Sequence, residues 1–136
     1  AAQLAHQTLH ISDLKDACLN GVTETDFLLV EGAGGFYSPL CADGLNADLA
    51  QALKLPIVLV TEDRVGCINH CLLTLEAAHN RGLNIKAIVL NRKSPATADM
   101  DNAAELAKHT NLPIFPLPEK CDAFHTFCVN SQAIHS

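Results

Sequence analysis

Short apolar runs alternate along this chain with stretches of helical spacing, and that alternation restricts the fold more than any other feature. Residues 27–30 (FLLV), 57–60 (IVLV), 85–90 (IKAIVL) and 113–116 (PIFP) have the length and composition of buried strands. Between them the period changes. Residues 12–20 (SDLKDACLN) read as a short helix with Ser12 as N-cap and Gly21 as stop. Residues 46–54 (NADLAQALK) read as a second helix, ended by Leu55-Pro56. In residues 66–81, Ile68, Leu72, Leu75 and Ala78 share a helical face that Gly82 closes. Pro95 opens a loop, residues 101–109 suit a helix, and the tail from Glu119 to Ser136 has weak periodicity and reads as a partly helical end. Strands apolar on both faces, alternating with helices over short connections, predict an α/β fold: a three-layer parallel sheet with helices on both faces. Neither a repeat nor a linker-like stretch interrupts it, so residues 1–136 are expected to form a single domain. Ligands of such sheets bind beyond the carboxyl ends of the strands, which directs attention to the loops 31–40, 61–67, 91–98 and 117–120.

Nine Lys and Arg stand against 15 Asp and Glu, a formal charge of −6, and the basic residues are scattered. With aromatic residues at 4% and no Trp, neither a nucleic acid nor an anionic membrane is an expected partner. No window of eighteen apolar residues could span a bilayer, and residues 1–12 lack the pattern of a secretory signal. The chain starts at Ala1 rather than Met, and the motifs below lead to the expectation that it begins upstream. Six cysteines (Cys18, Cys41, Cys67, Cys71, Cys121, Cys128) include no C-x2-C pair, which predicts buried free thiols in a reducing, cytoplasmic setting. His70 beside Cys67 and Cys71 does not make a metal-binding spacing.

Three constellations could carry chemistry. In Glu31-Gly32-Ala33-Gly34-Gly35 a carboxylate at a strand end precedes a glycine-rich loop. Such glycines let backbone approach an anion, and the carboxylate could hold Mg²⁺ against phosphate oxygens. A tight turn with a solvated glutamate explains the same residues equally well. Gly66-Cys67-Ile68-Asn69 opens a helix, and a helix start presents free N–H groups and a positive dipole end to an anion. A plain helix start is the commoner meaning of such a segment. Asn91-Arg92 follows the third strand, where an Asn carboxamide can pair with the edge of an aminated base; a polar strand end is the simpler explanation.

Taken in order and spacing, these pieces match one family. The chain resembles dethiobiotin synthetase over residues 26–39 (DFLLVEGAGGFYSP), 55–60 (LPIVLV), 65–74 (VGCINHCLLT), 81–83 (RGL) and 89–92 (VLNR), with weaker similarity through 112–118. The E-G-A-G element is shared with related amide-forming ATPases such as the cobyrinate synthases. The G-C-I-N-H element is more particular and decides for dethiobiotin synthetase.

The resemblance implies a P-loop NTPase-like fold, a homodimer, and a ligase of biotin biosynthesis using ATP, Mg²⁺ and CO2. Its substrate, 7,8-diaminononanoate, forms a carbamate that ATP phosphorylates before the second amine closes the cyclic urea. By position, Glu31 is implied as a Mg²⁺ ligand, and Gly32, Ala33 and Gly34 as the lining of the ATP phosphates. Asn91 is implied to recognise adenine with Arg92 beside it, while Pro118, Glu119 and Lys120 correspond to the last nucleotide loop. Gly66, Cys67, Ile68 and Asn69 are implied to bind the distal carboxylate of the diamine across the dimer interface. The family's P-loop, catalytic lysine and second Mg²⁺-binding carboxylate have no counterpart, since no G-K-[ST] occurs. The chain therefore resembles the C-terminal part of the enzyme, incomplete at its N-terminus, with no catalytic residue of its own and no expected turnover by itself. Runs 27–30 and 57–60 are then expected to lack a strand neighbour and to leave apolar edges. A truncated binding or regulatory homologue and a cobyrinate synthase-type ATPase are the alternatives.

Overall fold

The computed structural model describes residues 8–92 and 101–132, the last two by their backbone alone. The loop expected from Pro95 and the end of the tail lie outside the described residues. The chain forms two compact units, 1–55 and 56–136.

In the first unit, α1 (Ile11–Leu19) and α2 (Asn46–Leu53) pack together. The start of α1 is not capped by Ser12: the Asp13 carboxylate reaches back and accepts the His10 N–H at 2.9 Å. Asp43 accepts the Ile11 N–H at 2.9 Å and lies 3.1 Å from His10 Nδ1, fastening the helix start to the 39–45 turn. The Ile11 N–H, ahead of the Cys41 thiol and His10, holds the Asp43 carboxyl below its usual range. Lys54 ends α2 in a left-handed conformation, φ 57°.

Residues 27–30 do not form the expected strand. Phe27 is 63% and Leu29 80% exposed, and the unit's one β-bridge among the described residues joins Pro39 to Leu45. Apolar sequence gives strand propensity, but an extended segment becomes a strand only where another supplies ladder hydrogen bonds.

The second unit is a parallel sheet in the order β1-β2-β3: β1 (Ile57–Glu62), β2 (Ile85–Asn91) and β3 (Ile114–Leu117). The central strand is buried on both faces. Ile88 and Leu90 pack with Cys71 of α3 (Cys67–Asn80) and Leu106 of α4 (Asn102–Leu106). Ala87 and Val89 face the other way, with Phe115 and with Phe124 and Phe127 of α5 (Cys121–Gln132). Helices thus cover both faces of the sheet, as predicted. The face of α3 is also the expected one, since Ile68, Leu72 and Leu75 pack on the first cluster and Ala78 is buried.

Two expectations need correction here. β1 is half-buried rather than buried on both faces, because burial alternates along it and Val60 is 60% exposed. The tail is better ordered than its periodicity suggested: α5 is a twelve-residue helix whose Phe124 and Phe127 rings lie 5.3 and 5.4 Å from that of Phe115. Two phenylalanines on one face suffice to seat it, although the rest of the helix carries little pattern.

Of the six cysteines, Cys67 and Cys71 are buried; Cys18, Cys41 and Cys128 are partly exposed and Cys121 is exposed, so burial does not account for all of them. All six are free thiols. Burial, and secondarily the neighbouring Cys67, pushes the Cys71 thiol from 9.0 up to about 11. A folded value above the unfolded one gives stability that is intact below pH 9 and lost as pH rises through about 11. A urea midpoint unchanged between about pH 7 and 8.5 and falling between about pH 9 and 11 is the expected result. At neutral pH a thiol reagent should modify Cys121 first and spare Cys67 and Cys71 until the chain unfolds. Equal native reactivity of Cys71 and Cys121 would contradict this burial.

Candidate functional site

The glycine-rich loop of the first unit is organised by the first residue of α2. The Asn46 carboxamide nitrogen donates to the carbonyls of Ala33 at 2.7 Å and Gly35 at 2.9 Å. In a trans peptide C=O and N–H point opposite ways, so the Gly34 N–H is turned away from Asn46, on an exposed loop. The Ser38 hydroxyl accepts the Gly35 N–H at 2.7 Å, removing that donor from any cradle. Gly34 has φ +85°, and a Cβ there would lie 2.6 Å from Ser38 Oγ. At Gly32 a Cβ would come within 2.8 Å of Asn46 Oδ1, a buried acceptor without a hydrogen-bond partner. The loop therefore needs glycine at both positions, for conformation at one and for space at the other. Gly34→Ala is expected to cost about 1–2 kcal/mol of stability, read from the urea midpoint. A loss below about 0.3 kcal/mol would show that the loop relaxes freely.

Glu31, at the head of this loop, is exposed. Among the described residues no group of three or more His, Cys, Asp or Glu side chains could hold a metal ion. Glu31 thus belongs to no such group among the described residues. That suits a Mg²⁺ ion whose remaining ligands are phosphate oxygens and water, and not an all-protein metal cage.

In the second unit the expected residues gather at the carboxyl ends of the strands. Asn91 ends β2 in register with Glu62 of β1 and Leu117 of β3. Its carbonyl accepts the Asp63 N–H at 2.9 Å, and the Arg92 N–H donates to the Leu117 carbonyl at 3.2 Å. Arg92 Nη1 donates to Glu119 Oε1 at 2.7 Å, which brings Asn91, Arg92 and the segment Pro118-Glu119-Lys120 together. On its other side, Arg92 donates to Asp63 Oδ2 from Nε at 3.0 Å and Nη2 at 2.8 Å. The Asp63 bond first, and the nearby Glu119 charge as well, raise the Arg92 pKa further above its ordinary value.

The start of α3 follows β1 at the same end of the sheet. Gly66 caps it with φ 89° and no side chain, so the cap supplies no side-chain acceptor to the first turn. The four expected residues differ in what they can offer. Cys67 is buried with its N–H donated to the Arg64 carbonyl at 3.1 Å, whereas Gly66 and Asn69 are exposed and Ile68 partly so. An anion at this terminus would meet the N–H groups of Ile68 and Asn69 and the Asn69 side chain, not the cysteine.

Asp63, Asn102, Asn46 and Ser38 did not stand out in the sequence. Asp63 and Ser38 lie within loops already marked for ligands, 61–67 and 31–40, which was their one local signal; Asn102 and Asn46 depend on contacts distant in sequence.

A family profile described as an AAA domain matches residues 1–118. The chain belongs to the AAA domain family. It is similar to the ATP-dependent dethiobiotin synthetase BioD of Ruthia magnifica subsp. Calyptogena magnifica, 40% identical over 118 residues that make up 84% of this chain and 53% of that protein. The protein of the same name from Cellvibrio japonicus is 43% identical over 117 residues, 83% of this chain and 50% of the relative. That from Pseudomonas aeruginosa is 46% identical over 91 residues, 66% and 40% respectively. The chain thus spans about half the length of the curated relatives it matches. The expected likeness to dethiobiotin synthetase and the P-loop NTPase-like α/β class hold for this AAA domain member. No helix of the described residues is long and apolar enough to cross a membrane.

Proposed function

We propose that this chain is part of a cytoplasmic, homodimeric dethiobiotin synthetase that closes the cyclic urea of dethiobiotin from 7,8-diaminononanoate, CO2 and ATP. The observation that carries the reading is the convergence of Asn91, Arg92 and Glu119 on one strand-end cluster, in a chain similar to proteins named for that ATP-dependent reaction. Asn91 would read adenine by a paired donor and acceptor, with Pro118, Glu119 and Lys120 bordering the nucleotide. Gly32, Ala33 and Gly34 would offer backbone to the phosphates, the Gly34 N–H being turned outward by Asn46. Mg²⁺ would be held by Glu31 together with phosphate oxygens, and would supply charge neutralisation to phosphoryl transfer. The N–H groups of Ile68 and Asn69 at the Gly66 helix start would take the distal carboxylate of the diamine.

Phosphoryl transfer depends on positioning and charge neutralisation, and a P-loop lysine and threonine provide much of both. Neither stands in a G-K-[ST] motif among these 136 residues, so the chain alone is expected to be inactive. The test is ADP release by the complete native protein with ATP, Mg²⁺ and bicarbonate. Release that depends on added diaminononanoate supports the reading. Release that depends on a corrinoid acid instead would assign the chain to an amide-forming ATPase of the cobyrinate synthase type. Absence of both would leave a binding or regulatory homologue.

A further inference from the structure

Asp63 has no part in the function proposed above, yet its carboxylate joins the same cluster with a side chain only 6% exposed. Both oxygens are engaged: Oδ2 accepts Arg92 Nε and Nη2, and Oδ1 accepts Asn102 Nδ2 of α4 at 2.7 Å. Its backbone N–H holds the Asn91 carbonyl. Arg92 continues the chain of bonds to the Leu117 carbonyl and the Glu119 carboxylate. The ends of all three strands are thereby tied together around one guanidinium.

Such an arrangement is a poor source of stability, because taking a charge out of water offsets much of what its pairing returns. It is a good source of geometry, since a forked guanidinium accepts little angular error from its carboxylates. With Nε, Nη1 and Nη2 all committed to carboxylates, Arg92 carries little free positive field for a phosphate. Its adjacent residue, Asn91, has backbone anchored through Asp63 and an exposed side chain.

We infer that Asp63 is a positioning residue, which fixes Asn91 and the 117–120 segment through Arg92 and thereby sets selectivity for adenine over other bases. The inference rests on the proposed nucleotide role of Asn91. A carboxamide recognises adenine only as a correctly oriented pair of hydrogen bonds, and guanine presents an acceptor, O6, where adenine offers its N6 donor. Loosening the clasp therefore weakens ATP specifically and leaves the contacts to phosphate and ribose, common to every nucleotide, in place.

The experiment measures ATP and GTP dissociation constants in the complete native protein for wild type, Asp63→Asn and Glu119→Gln. Asp63→Asn keeps the side chain's size and removes its charge. ATP affinity is expected to fall roughly tenfold while GTP affinity stays within about twofold, so the preference for ATP falls by roughly tenfold. Glu119→Gln opens the clasp at its exposed end and is expected to lower the same ratio about threefold. A purely structural Asp63 would lower thermal stability and weaken both nucleotides equally, and an unchanged ratio overturns the inference. Should Asp63→Asn not fold, Asn102→Ala decides instead, since it removes the donor to Asp63 Oδ1 and lies outside the residues assigned to the nucleotide: a reduced ratio supports the clasp and an unchanged one overturns it. Wild-type binding of ATP and GTP with equal affinity overturns the inference and leaves the proposed function standing. Wild-type failure to bind any nucleotide overturns both.

Discussion

Replacing Glu31 by Gln in the complete native protein should lower kcat for diamine-dependent ADP release by about 10²–10³-fold. Glu31 is the one carboxylate at the glycine-rich loop's head, and Mg²⁺ sites in phosphoryl-transfer enzymes use only one or two protein carboxylates. If Glu31 holds Mg²⁺ as proposed, its removal leaves the metal one protein ligand short, so the charge developing on the transferred group is less well neutralised. The Mg²⁺ concentration giving half-maximal rate should rise in the same variant. Folding should not suffer, because the side chain is exposed; a stability change within about 0.5 kcal/mol is expected. Loss of activity with an unchanged unfolding midpoint separates a ligand from a structural residue. A kcat within about threefold of wild type would remove Glu31 from the metal site.

Ile88→Ala should produce the largest loss of stability, about 3–4 kcal/mol. Ile88 is fully buried at the centre of β2, packed with Cys71, Leu90 and Leu106, and truncation leaves a void bounded by a strand and two helices. Against a total of about 5–15 kcal/mol for an ordinary domain, that loss brings the unit near its unfolding threshold. Leu29→Ser supplies the contrast. Leu29 has the same apolar character but is 80% exposed, so its replacement should change stability by less than about 0.5 kcal/mol. Urea unfolding of both variants checks the pair. Equal effects would mean that residues 27–30 are packed in solution and that the sheet includes them.

Much of the second unit was readable before any coordinates. The runs at 57–60, 85–90 and 113–116 are strands to within two residues, because apolar segments of that length between turn residues have few other uses. Gly66 and Arg81 bracket α3 as its caps, since helix ends are set by local backbone chemistry. The run at 27–30 failed for the opposite reason. Its composition suits a strand, but pairing belongs to a partner segment, and its own unit offers none among the described residues. α5 was legible only as a partly helical end, because two phenylalanines seat it on Phe115, too few to produce a clear period.

The candidate site divides along the same line. Asn91 and Arg92 could be picked out because they follow directly on an apolar run, and polar residues at that position face the ligand side of a parallel sheet. Gly34 and Gly66 could be picked out because glycine marks backbone of positive φ, which both adopt. The partners of these residues could not. Asp63 lies 29 positions before Arg92 and 39 before Asn102, and Asn46 lies 13 positions after Ala33. The sequence by itself determined which segments alternate, where they stop, and which polar residues stand at their ends, because those properties depend on neighbours within a few positions. Only the tertiary structure decided that Asp63, Arg92 and Glu119 form one clasp. That outcome depends on the parallel register that aligns Glu62, Asn91 and Leu117, and a hydrogen bond of about 3 Å is set by register rather than by local pattern.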